Sequence, residues 1–196
     1  MIKEEALLKS LQDALSPICE TSLIFKKDIQ LKDLLVLKNA TSVINNFITY
    51  KLTLAFLERL KQLGFIDRTQ FERMEVDLEH TSVNANGFDV LFNDGIPIVA
   101  EVKGNVPCKG NRFGANQRKK IIKDLYALKK GKTKSKICSE KYYKFMVLLD
   151  DSKNIKEALV ALVKSKHMRE LAGEVCLVED ASSISKEKIN VILITI

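Results

Sequence analysis

The sequence predicts an α/β protein in which a central mixed β-sheet is flanked by helices. Helical periodicity of apolar residues runs over residues 42–63 and 116–130. Two short alternating stretches around a tight turn, residues 87–105, are typical of a β-hairpin. A continuous apolar run over residues 142–150 is typical of a buried central strand. Helices and strands therefore alternate along the chain, as they do in α/β folds.

At 196 residues the chain is expected to form one domain with its own core. We assign residues 1–40 to an N-terminal helical elaboration, 41–150 to the core, and 151–196 to a C-terminal helix and strands. The remaining predicted elements are a helix over 2–15, a short strand at 23–25, a short helix at 31–37, a strand over 71–83, a helix over 154–171, and strands at 175–178 and 191–196. Ser42 is the predicted N-cap of the 42–63 helix, which Gly64 ends.

The hairpin places charged residues inside otherwise apolar strands. Side chains alternate between the two faces of a strand, so Phe88, Val90 and Phe92 are predicted to share one face and Asp89 to lie on the other. On the second strand Glu101 and Lys103 share a face. Burying a charge without a partner is costly. These residues therefore form either a functional cluster or a salt bridge on a solvent-facing side of the sheet.

This pattern resembles the PD-(D/E)xK nuclease superfamily, in which an Asp on one strand and an (Asp/Glu)-x-Lys on the next form the catalytic site. The matching residues are Asp89 and Glu101-Val102-Lys103, with Phe88 in place of the family's proline. The resemblance covers residues 43–150 and implies a restriction-endonuclease-like three-layer core. It further implies a Mg²⁺-dependent DNA endonuclease that hydrolyses phosphodiester bonds, for example a type II restriction endonuclease.

The resemblance also assigns roles to these residues. Asp89, Glu101 and the carbonyl of Val102 are the expected metal ligands, since Mg²⁺, or Mn²⁺ as a substitute, prefers oxygen ligands. Lys103 is the expected partner of the attacking water or the phosphate. In the family a helix before the first strand often adds another acid. Glu58 is the candidate on that helix, and Glu79 or Asp77, on the strand predicted over residues 71–83, is a further candidate. A solvated surface position is the favoured alternative for each.

The net charge of +7 is distributed unevenly along the chain. Residues 104–144, the basic segment, contain thirteen basic and two acidic residues and so carry +11, which leaves −4 for the remainder. A basic block beside the predicted catalytic strand favours DNA as the partner over a merely solvated lysine-rich surface. The residues predicted to contact nucleic acid are Lys109, Arg112, Gln117, Arg118, Lys119, Lys120 and Lys123.

Two other functions stay open at this level. One is a junction-resolving or repair nuclease, which recognises the shape of the DNA. The other is a catalytically inactive nuclease-fold protein that binds DNA or supports an assembly. A homodimer is expected by analogy, since two strands must be cut. No apolar run reaches the length of a membrane span, and cysteine and histidine lack zinc spacing, so we expect a cytoplasmic protein without membrane contact or structural zinc.

Overall fold

The computed structural model describes residues 31–80, 87–104, 107, 111–132, 138–150, 154–171 and 173–195. The predicted helix at 2–15 and strand at 23–25 lie outside these residues. The helices are α1 (Leu31–Gln62), α2 (Arg68–His80), α3 (Ala115–Lys130) and α4 (Ile155–Val163), and the strands are β1 (Val90–Phe92), β2 (Ile98–Lys103), β3 (Tyr143–Asp150), β4 (Val175–Leu177) and β5 (Ile189–Thr195). The chain divides into two compact units, Met1–Ile44 and Asn45–Ile196.

The described part of the first unit is the beginning of α1, in which large apolar side chains such as Leu31 and Val36 are exposed. The second unit contains the sheet, whose strand order is β1-β2-β3-β5-β4. β1 pairs with β2 in antiparallel fashion, and every other pairing is parallel. The predicted α/β class with a mixed sheet is therefore confirmed.

Each face of the sheet carries its own apolar core, because successive residues of a strand point to opposite faces. Ala100 and Val102 of β2 pack in one core with the second half of α1 and with Met74 of α2. Val99 of β2 packs in the other core with side chains from α3 and α4. Within the second unit the helices thus lie on both faces of the sheet, which gives three layers.

The hairpin forms as the sequence predicts. Gly95 has a φ of +73°, which a turn residue without a side chain adopts at little cost, and β1 and β2 pair from Val90 opposite Ala100 onward. The predicted facing of Phe88 is wrong, because Phe88 packs in the core that contains Val99 whereas Val90 and Phe92 pack in the other. Residues 87–89 precede the strand and bend away from its regular alternation.

The strand predicted over residues 71–83 is wrong, because the chain forms α2 there as far as His80. A capping box starts this helix: the Asp67 carboxylate accepts from the Gln70 N–H at 2.7 Å, and the Gln70 side chain accepts from the Asp67 N–H at 3.0 Å. An ion pair between Arg68 and Glu72, one turn apart, adds to the first turn. The predicted order of a helix followed by three strands is corrected accordingly to two helices and two strands.

Two helix boundaries also differ from the prediction. Ser42 is not an N-cap but an interior residue of α1, Leu31–Gln62, which includes the short helix predicted at 31–37. The intervening residues contain no glycine or proline, and the Thr41 hydroxyl donates back to the Leu37 carbonyl at 2.9 Å without interrupting the helix. At the other end of the chain α4 stops at Val163, and a 3₁₀ turn, Lys166–Met168, carries the buried Met168.

Among the described residues no helix has the length and apolarity needed to cross a lipid bilayer.

At its central strand, β3, the sheet packs against helices. Phe145 of β3 is fully buried, with its ring centroid 5.1 Å from that of Phe56 and 5.9 Å from that of Phe65. Its neighbour in the register is Ala100 of β2.

We expect Phe145→Ala to lower the free energy of unfolding by about 3–5 kcal/mol, because it leaves a cavity beside β2. Phe145→Leu, which keeps more of the volume, should cost less, and Val160→Ala on the exposed face of α4 should cost little. Urea unfolding of the three variants measures this. Equal losses for Phe145→Ala and Val160→Ala would contradict the packing described.

Candidate active site

The acidic side chains predicted to converge do so at the end of the hairpin. Asp89 lies just before β1, and Glu101 lies in β2 next to Ala100, the register partner of Val90. The Val102 N–H donates to Asp89 Oδ2 at 2.8 Å. The Asp89 carboxylate thus takes up a backbone N–H beyond the last paired residues of β1 and is fixed next to Glu101.

Lys103 joins the two carboxylates and adds a third that the sequence reasoning did not include. Its Nζ lies 3.4 Å from Asp89 Oδ2, 3.1 Å from Glu101 Oε2 and 3.2 Å from Asp124 Oδ2 of α3. The Glu101 side chain is only 3% exposed and that of Lys103 19%. One ammonium therefore neutralises part of the charge of three largely buried carboxylates.

A second ammonium approaches Glu101 from the other side. Lys132 Nζ pairs with Glu101 Oε1 and also donates to the Gly87 carbonyl at 2.5 Å. The same ammonium lies 4.7 Å from the centroid of the Phe88 ring, within the range of a cation–π contact. We refer to Asp89, Glu101, Lys103, Asp124 and Lys132 together as the charge cluster.

Sequence reasoning found three members of the charge cluster and missed two. Asp124 had one available signal: it is the sole acid of α3 and follows the buried Ile121 by three residues, which places it at the edge of the apolar stripe. Lys132 had no comparable signal. It follows Gly131, whose φ of +81° ends α3, and its contact with Glu101 spans 31 residues of sequence.

Burial and charge act on the cluster together. Burial raises the pKa of Glu101, and the nearby Lys103 ammonium offsets only part of that rise. Burial alone lowers the pKa of Lys103, but the attraction of Asp89, Glu101 and Asp124 outweighs it and holds that pKa above its usual range. The raised pKa of Lys103 means that this residue is a cation at neutral pH.

Three members of the charge cluster, Asp89, Lys103 and Asp124, line a cavity of about 430 Å³. Lys120 and Lys123, both exposed on α3, lie at its edge. The other lining residues are Asn45, Ile48, Thr49, Asp89, Val102, Lys103, Gly104 and Asp124. A Cβ at Gly104 would come within 2.8 Å of Ile48 Cγ2, so a larger residue after Lys103 would force the wall of the cavity to move. The cavity is thus polar, with cations beside carboxylates.

The other residues predicted to contact nucleic acid are dispersed. Gln117 caps α3, since its side-chain oxygen accepts from the Gly114 N–H at 2.9 Å. Arg118 and Lys119 are exposed and line a separate depression next to His167. Arg112 is exposed, and Lys109 lies outside the described residues. Lys120 and Lys123 are consequently the two of this set that adjoin the charge cluster.

The acids proposed as additional ligands lie on α1 and α2. Glu58 forms an ion pair with Lys61 at 2.6 Å, one turn further along α1, and its side chain is 42% exposed. Glu79 is exposed near the end of α2. The third carboxylate that contacts Lys103 is that of Asp124.

The donor set of the cluster can be compared with the requirements of Mg²⁺. This ion is commonly bound by one or two carboxylates and keeps several waters. Asp89 and Glu101 supply two such carboxylates, both in contact with Lys103. Among the described residues no group of three or more His, Cys, Asp or Glu is arranged to hold a metal ion. The two carboxylates fit Mg²⁺ by their number and their oxygen donors, so Asp89 and Glu101 are the residues that would hold it.

Comparison of the chain with protein-family models, with curated proteins and with solved structures gave no significant match. Functional inference therefore depends on the residues themselves. Those that carry it are the carboxylates of Asp89 and Glu101 and the ammonium of Lys103, which contacts both.

We expect Lys103→Met to destabilise the protein by on the order of 2–3 kcal/mol at about pH 8, because it removes a shared partner from buried carboxylates. Without that ammonium the pKa of Glu101 should rise further. When the pKa of a carboxyl is higher in the folded than in the unfolded protein, the free energy of unfolding falls as pH rises above the ordinary pKa of that carboxyl, here 4.5. The deficit relative to the unaltered protein should therefore be smaller at about pH 5, as measured by urea unfolding.

Lys123→Met is the matched control, because it removes one exposed ammonium from the same region. It should change stability little and nearly equally at both pH values. A Lys103→Met deficit that does not depend on pH would contradict the electrostatic account.

Proposed function

We propose that this protein is a Mg²⁺-dependent DNA endonuclease with a restriction-endonuclease-like three-layer core. The observation that carries the proposal is the convergence of Asp89, just before β1, with Glu101 and Lys103 of β2, beside a cavity lined by exposed lysines. Buried carboxylates held together on one face of a sheet are expensive unless they have a cationic partner. Such an arrangement suits the hydrolysis of a phosphodiester, whose transition state gathers negative charge.

Each residue has a defined role in this proposal. Asp89 and Glu101, assisted by the carbonyl of Val102, would hold Mg²⁺ or its substitute Mn²⁺. When bound, the ion would lower the pKa of a water molecule and neutralise charge on phosphate oxygens. Lys103 supplies a fixed positive charge, and its three N–H donors can orient the attacking water or a non-bridging oxygen.

The basic segment supplies the binding of DNA. Lys120 and Lys123 project from α3 at the edge of the cavity, where they can meet phosphates next to the one being cleaved. Contacts of this kind are independent of base sequence and depend strongly on salt. They place the strand and leave the chemistry to the charge cluster.

We expect Asp89→Asn, Glu101→Gln and Lys103→Met each to reduce Mg²⁺-dependent DNA cleavage by at least about a hundredfold. The three variants remove ligands or charge where the reaction is proposed to occur. Plasmid nicking with Mg²⁺, with Mn²⁺ and with a chelator measures the effect, and circular dichroism checks that each variant is folded.

Asp94→Asn provides the matched control. Asp94 lies in the turn of the same hairpin, its side chain is 76% exposed, and it lies 3.4 Å from the exposed Arg73. Its variant should cleave like the unaltered protein. Full cleavage by the Asp89→Asn or Glu101→Gln variant would refute the assignment of these residues.

We expect the double variant Lys120→Gln/Lys123→Gln to bind duplex DNA more weakly and to reduce the slope of log Kd against log salt by about 2, since each lost phosphate contact contributes about 0.9. Fluorescence anisotropy over a range of salt concentrations gives both quantities. Lys156→Gln/Lys164→Gln, which removes two exposed charges at α4, should leave the slope nearly unchanged. Equal slopes for the two double variants would contradict a role of the cavity edge in binding.

One observation favours a second candidate, a nuclease-fold protein that binds DNA or supports an assembly without catalysis. The Lys103 ammonium contacts all three carboxylates of the cluster and so already provides a cation for them. Salt-sensitive DNA binding with no cleavage under Mg²⁺ or Mn²⁺ would support this candidate. Cleavage of branched but not linear duplex would instead assign a junction-resolving or repair nuclease, and light scattering tests the proposed homodimer.

A further inference from the structure

We propose that Asp124 is a positioning residue of the candidate active site, where it keeps the Lys103 ammonium in place when a divalent cation occupies Asp89 and Glu101. This inference rests on the proposed function. Its structural basis is that Asp124 belongs to α3, whereas the other two carboxylates that contact Lys103 belong to the hairpin. The Asp124 side chain is 17% exposed, so it is held largely within the protein.

The Lys103 ammonium has three carboxylate partners. An ammonium has three N–H donors, and three carboxylates lie within 3.4 Å of Lys103 Nζ. Two of them, Asp89 and Glu101, are the residues proposed to hold the cation. A cation at those two carboxylates repels the ammonium and competes for the same oxygens. Asp124 is then the carboxylate that still pairs with Lys103.

The charge cluster carries a net negative charge. Its three carboxylates and two ammonium groups, Lys103 and Lys132, give a net charge of −1. A divalent cation changes this to +1, which a single phosphodiester charge can neutralise. Without the charge of Asp124 the cluster is neutral before the cation arrives and attracts it less. Asp124 thus favours cation binding without contacting the cation.

The positioning role of Asp124 differs from that of a ligand of the divalent cation. Asp124 Oδ2 lies 3.2 Å from Lys103 Nζ, so its contact in the cluster is with the ammonium. Asp89, Glu101 and Asp124 do not form a three-residue group arranged to hold a metal ion. Asp124 therefore acts through Lys103.

The first experiment needs neither metal nor DNA. Full-length protein is treated with a lysine-acylating reagent, and the rate of modification at Lys103 is read by peptide mass spectrometry. Asp124→Asn should raise that rate at least about threefold, because one of three charged partners is lost. Asp124→Glu should restore a slow rate, and Glu140→Gln, which removes an exposed acid from the same basic segment, should leave it unchanged. An unchanged rate in Asp124→Asn would overturn the inference.

The second experiment measures Mg²⁺ affinity by isothermal titration calorimetry in a double-mutant cycle. Asp124→Asn should weaken Mg²⁺ binding about tenfold in the otherwise unaltered chain. The same substitution should have a clearly smaller effect when Lys103 is already replaced, as in Lys103→Met. An equal loss in both backgrounds would show that Asp124 acts only through the net charge of the cluster and not through Lys103, and would overturn the positioning role.

The third readout is cleavage. Asp124→Asn should lower kcat for DNA and leave KM nearly unchanged, and Asp124→Glu should restore most of kcat. A change in KM alone would overturn the inference. Absence of Mg²⁺ binding and cleavage by the unaltered protein would overturn the proposed function and this inference together, whereas an unchanged acylation rate in Asp124→Asn overturns the inference alone.

Discussion

The burial of Glu101 is the constraint on which the arrangement of this site depends. The residue lies in β2 between apolar neighbours, with 3% of its side chain exposed, and an ionised carboxylate in such surroundings requires cationic partners. Lys103 meets one of its oxygens and Lys132 the other. Those two partners in turn fix how the end of α3 and the beginning of the hairpin are held against β2. The charge cluster is thus part of the packing of the protein as well as a candidate site.

The convergence of Asp89 with Glu101 could be predicted because it follows from local rules. The Asn93-Asp94-Gly95 turn sets the register of the hairpin, and alternation along β2 places Glu101 and Lys103 on one face. Asp124 and Lys132 obey no such local rule toward the hairpin, since their positions depend on how α3 docks on the sheet. That docking is decided by the burial of Ile121, Leu125 and Leu128, which fixes the orientation of the helix but is not encoded in the strand pattern.

The fold shows the same division between local and tertiary information. The segment Met74–His80 alternates apolar and acidic residues and so matches the period of a strand, but its apolar residues are not all buried. Met74 is the buried residue of α2, and the capping box between Asp67 and Gln70 supplies the local signal that favours the helix. Period-2 alternation was therefore the weaker of two signals present in the same stretch. In β3, by contrast, the apolar run over residues 145–149 has no competing helix signal, and the prediction of a buried strand was confirmed.

The two functional candidates place opposite demands on the same charges. A DNA strand that follows the exposed lysines of α3 meets favourable potential all along its path, whether or not a metal is bound. A phosphate that moved further into the cavity would meet Asp89 and Asp124, and the cluster to which they belong is net negative even with Lys103 and Lys132. Binding at the cavity edge and chemistry at the cluster are therefore physically separable. Only the chemistry requires that a cation first reverse the sign of the cluster, and for that reason metal dependence of cleavage, rather than DNA affinity, distinguishes an enzyme from a binding protein in this fold.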